Sequence, residues 1–167
     1  MKFVVAIMPT LRRFVLALAL CAVASCILTD YQAGYDAYQR GDYATALRKL
    51  KPLAEQGDAK AQSNLGTMYY KGQGIRQDYA EAVNWYRKAA DQEYAKAQHN
   101  LGVVYAEGQG VPQDYAKAVN WYRKAAEQGN AKAQYNLGVI FAEGQGVRQD
   151  YAKAVNWYRK AADQGVA

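Results

Sequence analysis

The chain has 167 residues, 51% of them apolar, with two cysteines, one histidine and fifteen tyrosines. That length suits one domain or a short array rather than a multidomain enzyme, and so few His and Cys exclude a metal cage or Cys–His dyad in every segment. The net charge of +6 comes from 21 basic and 15 acidic residues, neither sign running in blocks, which excludes extended disorder over most of the chain.

The first segment reads as an address. Arg12 and Arg13 precede the apolar run Phe14 to Ala24, and small residues follow, the pattern of a secretory signal over residues 1–25. As a helix that run rises roughly 16 Å, about half the ~30 Å hydrocarbon core, so it is too short to span. The exit Val23-Ala24-Ser25-Cys26 resembles a bacterial lipobox. The resemblance implies a lipid on Cys26 and an exported protein, periplasmic or anchored in the outer membrane. Ordinary cleavage after Ala22-Val23-Ala24 is the alternative, and Met8 is an alternative start. Removing residues 1–25 takes away Lys2, Arg12 and Arg13, leaving 21 − 3 = 18 basic against 15 acidic residues. That modest balance gives no reason to expect a nucleic-acid partner. Cys21 goes as well, so Cys26 has no partner for an internal disulfide.

Residues 26–58 form a linker and a short helical hairpin. Gly41-Asp42 makes its turn, Ala44, Leu47, Leu50 and Leu53 make a helical stripe, and Pro52 is expected to kink or end that helix.

A 36-residue repeat follows, in units 59–94, 95–130 and 131–166. Units two and three differ only at 99/135, 104/140, 105/141, 112/148, 127/163 and 130/166. Each begins Ala-Lys-Ala-Gln-x-Asn-Leu-Gly, passes a Gly-Gln-Gly turn and Gln-Asp-Tyr-Ala, and ends through Ala-Val-Asn-Trp-Tyr-Arg-Lys-Ala-Ala. Both halves have helical periodicity. Ala61, Leu65, Met68, Tyr69 and Gly72 share one face, as do Tyr79, Ala82, Val83, Tyr86, Ala89 and Ala90. Asp78, Asp114 and Asp150 occupy N-cap positions, and Asp78 with Glu81 fits a capping box that Lys117 and Lys153 cannot complete. Gly57 and Gly129 suit helix C-terminal turns, with Asp58 and Asn130 capping the next helix. Glu93-Tyr94 departs from that chemistry and should be the weakest turn. Hairpins of this kind bury their stripes only by stacking.

These units resemble the Sel1-like repeat (SLR), a relative of the tetratricopeptide repeat, on Ala-x-Ala-Gln-x-Asn-Leu-Gly-x-x-Tyr and Gly-Gln-Gly-Val over residues 59–166. The resemblance implies an all-α fold, a right-handed α-solenoid of stacked helical hairpins. Cysteine-rich members carry a cysteine pair in each repeat; this chain does not.

Several motifs have plain structural readings. Gly72-x-Gly74, Gly108-x-Gly110 and Gly144-x-Gly146 lack the strand and Lys-Ser/Thr of a phosphate loop and read as inter-helix turns. Trp85, Trp121 and Trp157 recur at one position and are expected to pack against neighbouring hairpins. His99 has no catalytic partner in its helix and is expected to face solvent or a groove. Ser63, the sole serine beyond residue 25, has no triad around it. No enzyme, metal or cofactor is expected.

The units differ mostly along their first helices. Similarity to tetratricopeptide arrays implies a concave groove lined by Lys60, Ser63, Thr67, Tyr70 and Lys71, then Lys96, His99, Val103, Ala106 and Glu107, then Lys132, Tyr135, Val139, Ala142 and Glu143. This mixture of polar, charged and apolar side chains points to a scaffold gripping a protein or peptide partner. A glycan or cell-wall ligand is the alternative, with tyrosines and tryptophans as stacking platforms. Membrane contact is expected only through the lipid on Cys26. The flank of Trp157 and Tyr158 is expected to fray or to pair with a second copy.

Overall fold

The computed structural model describes residues 30–166; the signal segment, Met8 and Cys26 lie outside the described residues. Helix α1 covers 30–39, and α2 to α8 are Tyr43–Glu55, Ala59–Lys71, Tyr79–Asp91, Ala95–Glu107, Tyr115–Glu127, Ala131–Glu143 and Tyr151–Ala162. No strand occurs among the described residues. Consecutive helices pack in chain order, most extensively within the pairs α3/α4, α5/α6 and α7/α8. The result is an all-α stack of helical hairpins.

Local chemistry sets each boundary. Asp78, Asp114 and Asp150 accept from the backbone N–H groups of Glu81, Lys117 and Lys153 at 2.9–3.0 Å, satisfying donors that a helix start leaves unpaired. The return half of a capping box is absent. The Asp78 N–H donates to the Tyr69 carbonyl across the hairpin at 3.0 Å, and Asp114 and Asp150 do the same to Tyr105 and Phe141. With the cap N–H already paired, position 81 has no capping duty, so lysine serves equally well at 117 and 153.

Between the helices, both glycines of each Gly-Gln-Gly turn have positive φ. The second has a further task. A Cβ on Gly110 would lie 2.5 Å from the Tyr79 carbonyl carbon, so this turn touches the start of the preceding unit's second helix. Inside the hairpin, a Cβ on Gly102 would lie 2.4 Å from the Tyr122 ring. The glycine of Asn-Leu-Gly is therefore the slot for the tyrosine of Asn-Trp-Tyr.

Stacking produces three linked core clusters, centred on Leu50 and Leu65, on Val83 and Leu101, and on Tyr122 and Leu137. Burying such side chains is worth about 1.5–3 kcal/mol each. The tryptophans pack as expected: Trp85 lies against the first cluster, Trp121 against the second and third, and Trp157 against the third. The last hairpin is open on one side. Val155 is 45% exposed where its counterpart Val119 is 2% exposed, and Tyr151 is 66% exposed.

Two readings of α2 are amended, the ending at Pro52 and the place of Ala44. Pro52 does not end the helix, which runs on to Glu55. Pro52 and Arg48 are both exposed, so water can take the bond the proline lacks. Ala44 is exposed, and Ala46 is the buried member of the stripe with Leu50, Leu53 and Ala54. Turn chemistry at Gly41-Asp42 is as read: Gly41 has φ 79 and Asp42 caps Thr45.

Candidate functional site

The first helices α3, α5 and α7 carry their lysines at the second position of each unit and asparagines four residues later, one helical turn apart on a shared face. Between α3 and α5 this face forms a cleft of about 300 Å³. Thr67, Tyr70, Lys71, Lys96, Val103 and Lys132 line it, joined by Tyr38, Asn64, Tyr86, Asn100 and Val104.

A hydrogen-bond relay fixes its walls. Tyr86 donates to Thr67 Oγ1 at 3.2 Å, and Thr67 donates to the Ser63 carbonyl at 3.0 Å. Tyr38 donates to Gln73 at 2.8 Å. Asn64 donates to the Tyr31 hydroxyl at 3.0 Å and accepts from Lys96 Nζ at 3.3 Å. Lys96 is an exposed residue whose ammonium is held on Asn64. Desolvation lowers its pKa most, followed by repulsion from Lys132 and Lys71. Tyr70 donates to the Glu107 carboxylate at the rim; burial first, then that bond, holds its pKa well above the usual value.

The remaining expected groove residues fall elsewhere. Lys60 is exposed, its ammonium 5.9 Å from the Tyr31 ring centroid. Ala106, Val139 and Ala142 are half-buried, Glu143 is exposed, and Tyr135 is 38% exposed with its ring 5.6 Å from that of Tyr158. Ser63 corrects the expectation outright. It is fully buried, with a hydroxyl that has no hydrogen-bond partner, because so short a side chain does not reach past the packing that His99 and Tyr135 extend beyond. His99 is not open to solvent either. It sits half-buried between Asn100 and Asn136, 3.2 and 3.3 Å away, with its ring 5.7 Å from Tyr122. Val103 lines the cleft and packs on the third core cluster as well, while His99 is not among the lining residues.

Sequence reasoning missed Asn64 and Asn100. It searched for positions that differ between units, and these asparagines are the same in all three. The usable signal was the Lys-x-x-x-Asn spacing itself. It also missed the buried glutamines. Gln62, Gln98 and Gln134 donate to the carbonyls of Ala54, Ala90 and Ala126, and accept from Gln92, Gln128 and Gln164 at 2.8 Å. These ladders tie each first helix to the helix before it and to the end of the second helix in its own hairpin.

The tryptophan rings offer no open platform. Lys88, Lys124 and Lys160 hold their ammonium groups 4.1, 4.5 and 4.4 Å from the ring centroids of Trp85, Trp121 and Trp157. Among the described residues, no group of three or more His, Cys, Asp or Glu is placed to hold a metal. No helix there is long and apolar enough to cross a membrane.

The comparisons agree with this architecture. A family model described as the Sel1 repeat matches residues 59–94, 95–130 and 131–166. The fold is similar to a Sel1 repeat protein from Oxalobacter formigenes, with a TM-score of 0.77 and 40% identity over 81% of this chain and 54% of that one. It is also similar to a protective antigen present in uropathogenic Escherichia coli strains displaying an SLR fold, with a TM-score of 0.78 and 43% identity. That match covers 89% of this chain and 33% of the antigen. The chain thus spans about half or less of these two relatives. The Helicobacter pylori cysteine rich protein B, at 24% identity and a TM-score of 0.58, covers 73% of this chain and 90% of its own and shares the fold alone.

Proposed function

The chain belongs to the Sel1 repeat family, and we propose that it is an exported scaffold that grips a polypeptide along its first-helix face. Repeat arrays of this family are non-catalytic interaction modules, which sets the class. The observation that carries the finer reading is the cleft between α3 and α5. It combines lysine ammonium groups, tyrosine hydroxyls and the flank of Val103 beside a hydrogen-bonded wall. Such a mixed surface suits peptide side chains better than sugar rings, for which the tryptophan faces would be needed and are covered by lysine.

Site-specific photocrosslinking tests the reading. A photoreactive amino acid at Thr67 or Tyr70 should give a discrete polypeptide adduct in cells, while one at Asn84 or Asn120, exposed on the second helices, should not. Adducts of equal yield on both faces, or none from the cleft, would refute it.

Attachment through Cys26 is part of the same proposal, resting on the Val-Ala-Ser-Cys exit. The Cys26→Ala chain should leave the membrane fraction and lose the mass of its acyl groups; stable anchoring takes more than one chain. Retention in the membrane with unchanged mass would discard it. The open flank of α8 is proposed as a self-contact, and sedimentation that stays monomeric at high concentration would rule that out.

A further inference from the structure

In the interior of the stack, each second helix lays one apolar stripe under the next unit. Val119, Tyr122 and Ala126 of α6 are buried beneath α7 in this way, and Val83, Tyr86 and Ala90 of α4 beneath α5. The same stripe on α8 is Tyr151, Val155, Tyr158 and Ala162, and among the described residues no helix lies over it. Tyr151, Val155 and Ala162 are exposed and Tyr158 is half-buried. With Tyr135, whose ring neighbours Tyr158, Tyr151 and Val155 are the exposed large apolar side chains among the described residues. All of them lie on the last hairpin, so the apolar surface is one patch at one end.

The other end of the stack does not match it. The exposed residues of α1 are Gln32, Ala33 and Gln39, while Tyr31 and Tyr38 turn their hydroxyls inward to Asn64 and Gln73. A head-to-tail contact would set an apolar face on a polar one. The surface that does match is the same face of a second copy. Its side chains stand four, three and four residues apart, the spacing by which two helices interlock side by side. Antiparallel about a two-fold axis, Tyr151 falls opposite the partner's Ala162, and Val155 opposite the partner's Tyr158. A large side chain then meets a smaller one at each level, as close packing requires. Parallel alignment would set tyrosine on tyrosine and leave a gap at alanine.

Arg159 points the same way. In the interior joints its counterparts cover an aromatic of the next unit: Arg87 donates to the Tyr105 hydroxyl at 2.8 Å, and the Arg123 guanidinium stands 5.8 Å from the Phe141 ring centroid. Arg159 is exposed, and the antiparallel arrangement brings it beside the partner's Tyr151.

We propose that α8 pairs antiparallel with α8 of a second copy and closes a two-fold dimer through the stripe from Tyr151 to Ala162. This rests on the self-contact proposed above for the α8 flank and gives it a geometry and a stoichiometry. An isologous contact uses each face once, so association stops at two. The dimer carries two clefts between α3 and α5, which raises the effective affinity for a partner with repeated segments.

Sedimentation equilibrium tests this on the Cys26→Ala chain, which can carry neither a lipid nor a disulfide at that position. One helix from each copy covers less than the roughly 800 Å² per partner of a standard interface. The dimer should therefore be weak, appearing as the concentration rises towards about millimolar, and saturating at two. Val155→Asp should raise the dissociation constant at least about tenfold, and Ala33→Glu on α1 should leave it unchanged. Ala162→Tyr, which sets tyrosine on tyrosine, should weaken the dimer, and Tyr151→Ala/Ala162→Tyr should restore it. All variants should keep their helicity and melting. Growth past the dimer that Val155→Asp abolishes overturns the two-fold arrangement and leaves a self-contact of the flank standing. A dimer indifferent to Val155→Asp, or a double exchange that restores nothing, also overturns it. A chain that stays monomeric at about millimolar concentration removes the self-contact along with this inference.

Discussion

Units one and two meet at Gln92-Glu93-Tyr94, and units two and three at Gln128-Gly129-Asn130; the chain path is nearly the same and the chemistry is not. Gly129 has φ 86, while Glu93, at φ 60, is the one non-glycine among the described residues with positive φ. Asn130 caps the Ala133 N–H at 2.9 Å, whereas Tyr94 makes no side-chain cap. The orphaned Ala97 N–H turns instead to the Tyr94 carbonyl at 3.0 Å. Backbone bonds from 93 and 94 back to Ala90 and Ala89 reproduce those from 129 and 130 to Ala126 and Ala125. Stacking on both sides thus imposes the turn, and local residues only set how comfortably it is held. Tyr94 is compensated by packing on the second core cluster.

The largest expected effect tests what the two joints share. Gln98 crosses the first to the Ala90 carbonyl and Gln134 crosses the second to Ala126. Truncation removes a buried side chain and one of two donors to each carbonyl, which keeps its bond from the Glu93 or Gly129 N–H. It also takes the Gln98 or Gln134 acceptor away from the Gln128 or Gln164 amide. Gln98→Ala and Gln134→Ala should each cost about 1–3 kcal/mol in urea unfolding. If the first costs far less than the second, the longer 3.4 Å bond at Ala90 is idle and the joints differ in more than turn chemistry.

Exchanging the turn residues comes next. Gly129→Glu should lower stability by about 1–2 kcal/mol, since positive φ strains any residue with a Cβ. A Cβ there meets no atom within 4 Å, so backbone strain is the sole cause. Glu93→Gly should raise stability by about 1 kcal/mol, visible as a higher Tm. Equal and negligible shifts would show that the stack absorbs the strain completely. Tyr94→Asn should change little: a new cap is worth about 1 kcal/mol, and the apolar contacts of Tyr94 are lost in return. Hydrogen exchange at Ala97 reads the cap alone and should slow.

This contrast marks what was legible in the sequence. The helical halves, the hairpin turns, the caps at Asp58 and Asn130 and the awkwardness of Glu93-Tyr94 all follow from local residue chemistry, which a repeat states three times over. The groove was less legible. Whether position five of a unit is covered depends on side-chain length, which buried Ser63 and left Tyr135 in the open. The asparagines and glutamines gain their roles only when separate helices are brought together, as in the bond from Lys96 to Asn64 between neighbouring units and from Gln92 to Gln62 within one hairpin. The pairing of Asp78 with Tyr69 is likewise a tertiary bond, and it overrode the capping-box reading.

The smallest expected effect is a pH dependence that should narrow the difference between the joints. His99 belongs to the α5 face that meets α7, and its partners assign its tautomer. With the proton on Nδ1 it donates to Asn100 Oδ1, and Nε2 accepts from the Asn136 amide. A second proton would set Nε2–H against that amide donor, close to the Lys132 ammonium. Desolvation holds the native pKa below its ordinary 6.5, Lys132 adds to that, and the Asn100 bond opposes it. The unfolded chain therefore binds the proton first as acid is added. Stability should be full above about pH 6.5, fall as the pH drops through that value, and level off below the native pKa. The other units carry Ser63 and Tyr135 at this place, neither of them an imidazole. Acid should accordingly loosen the second joint and spare the first, seen as faster hydrogen exchange in α7 than in α3. His99→Gln should flatten the dependence near pH 6; a slope that persists in that variant would assign it to another group.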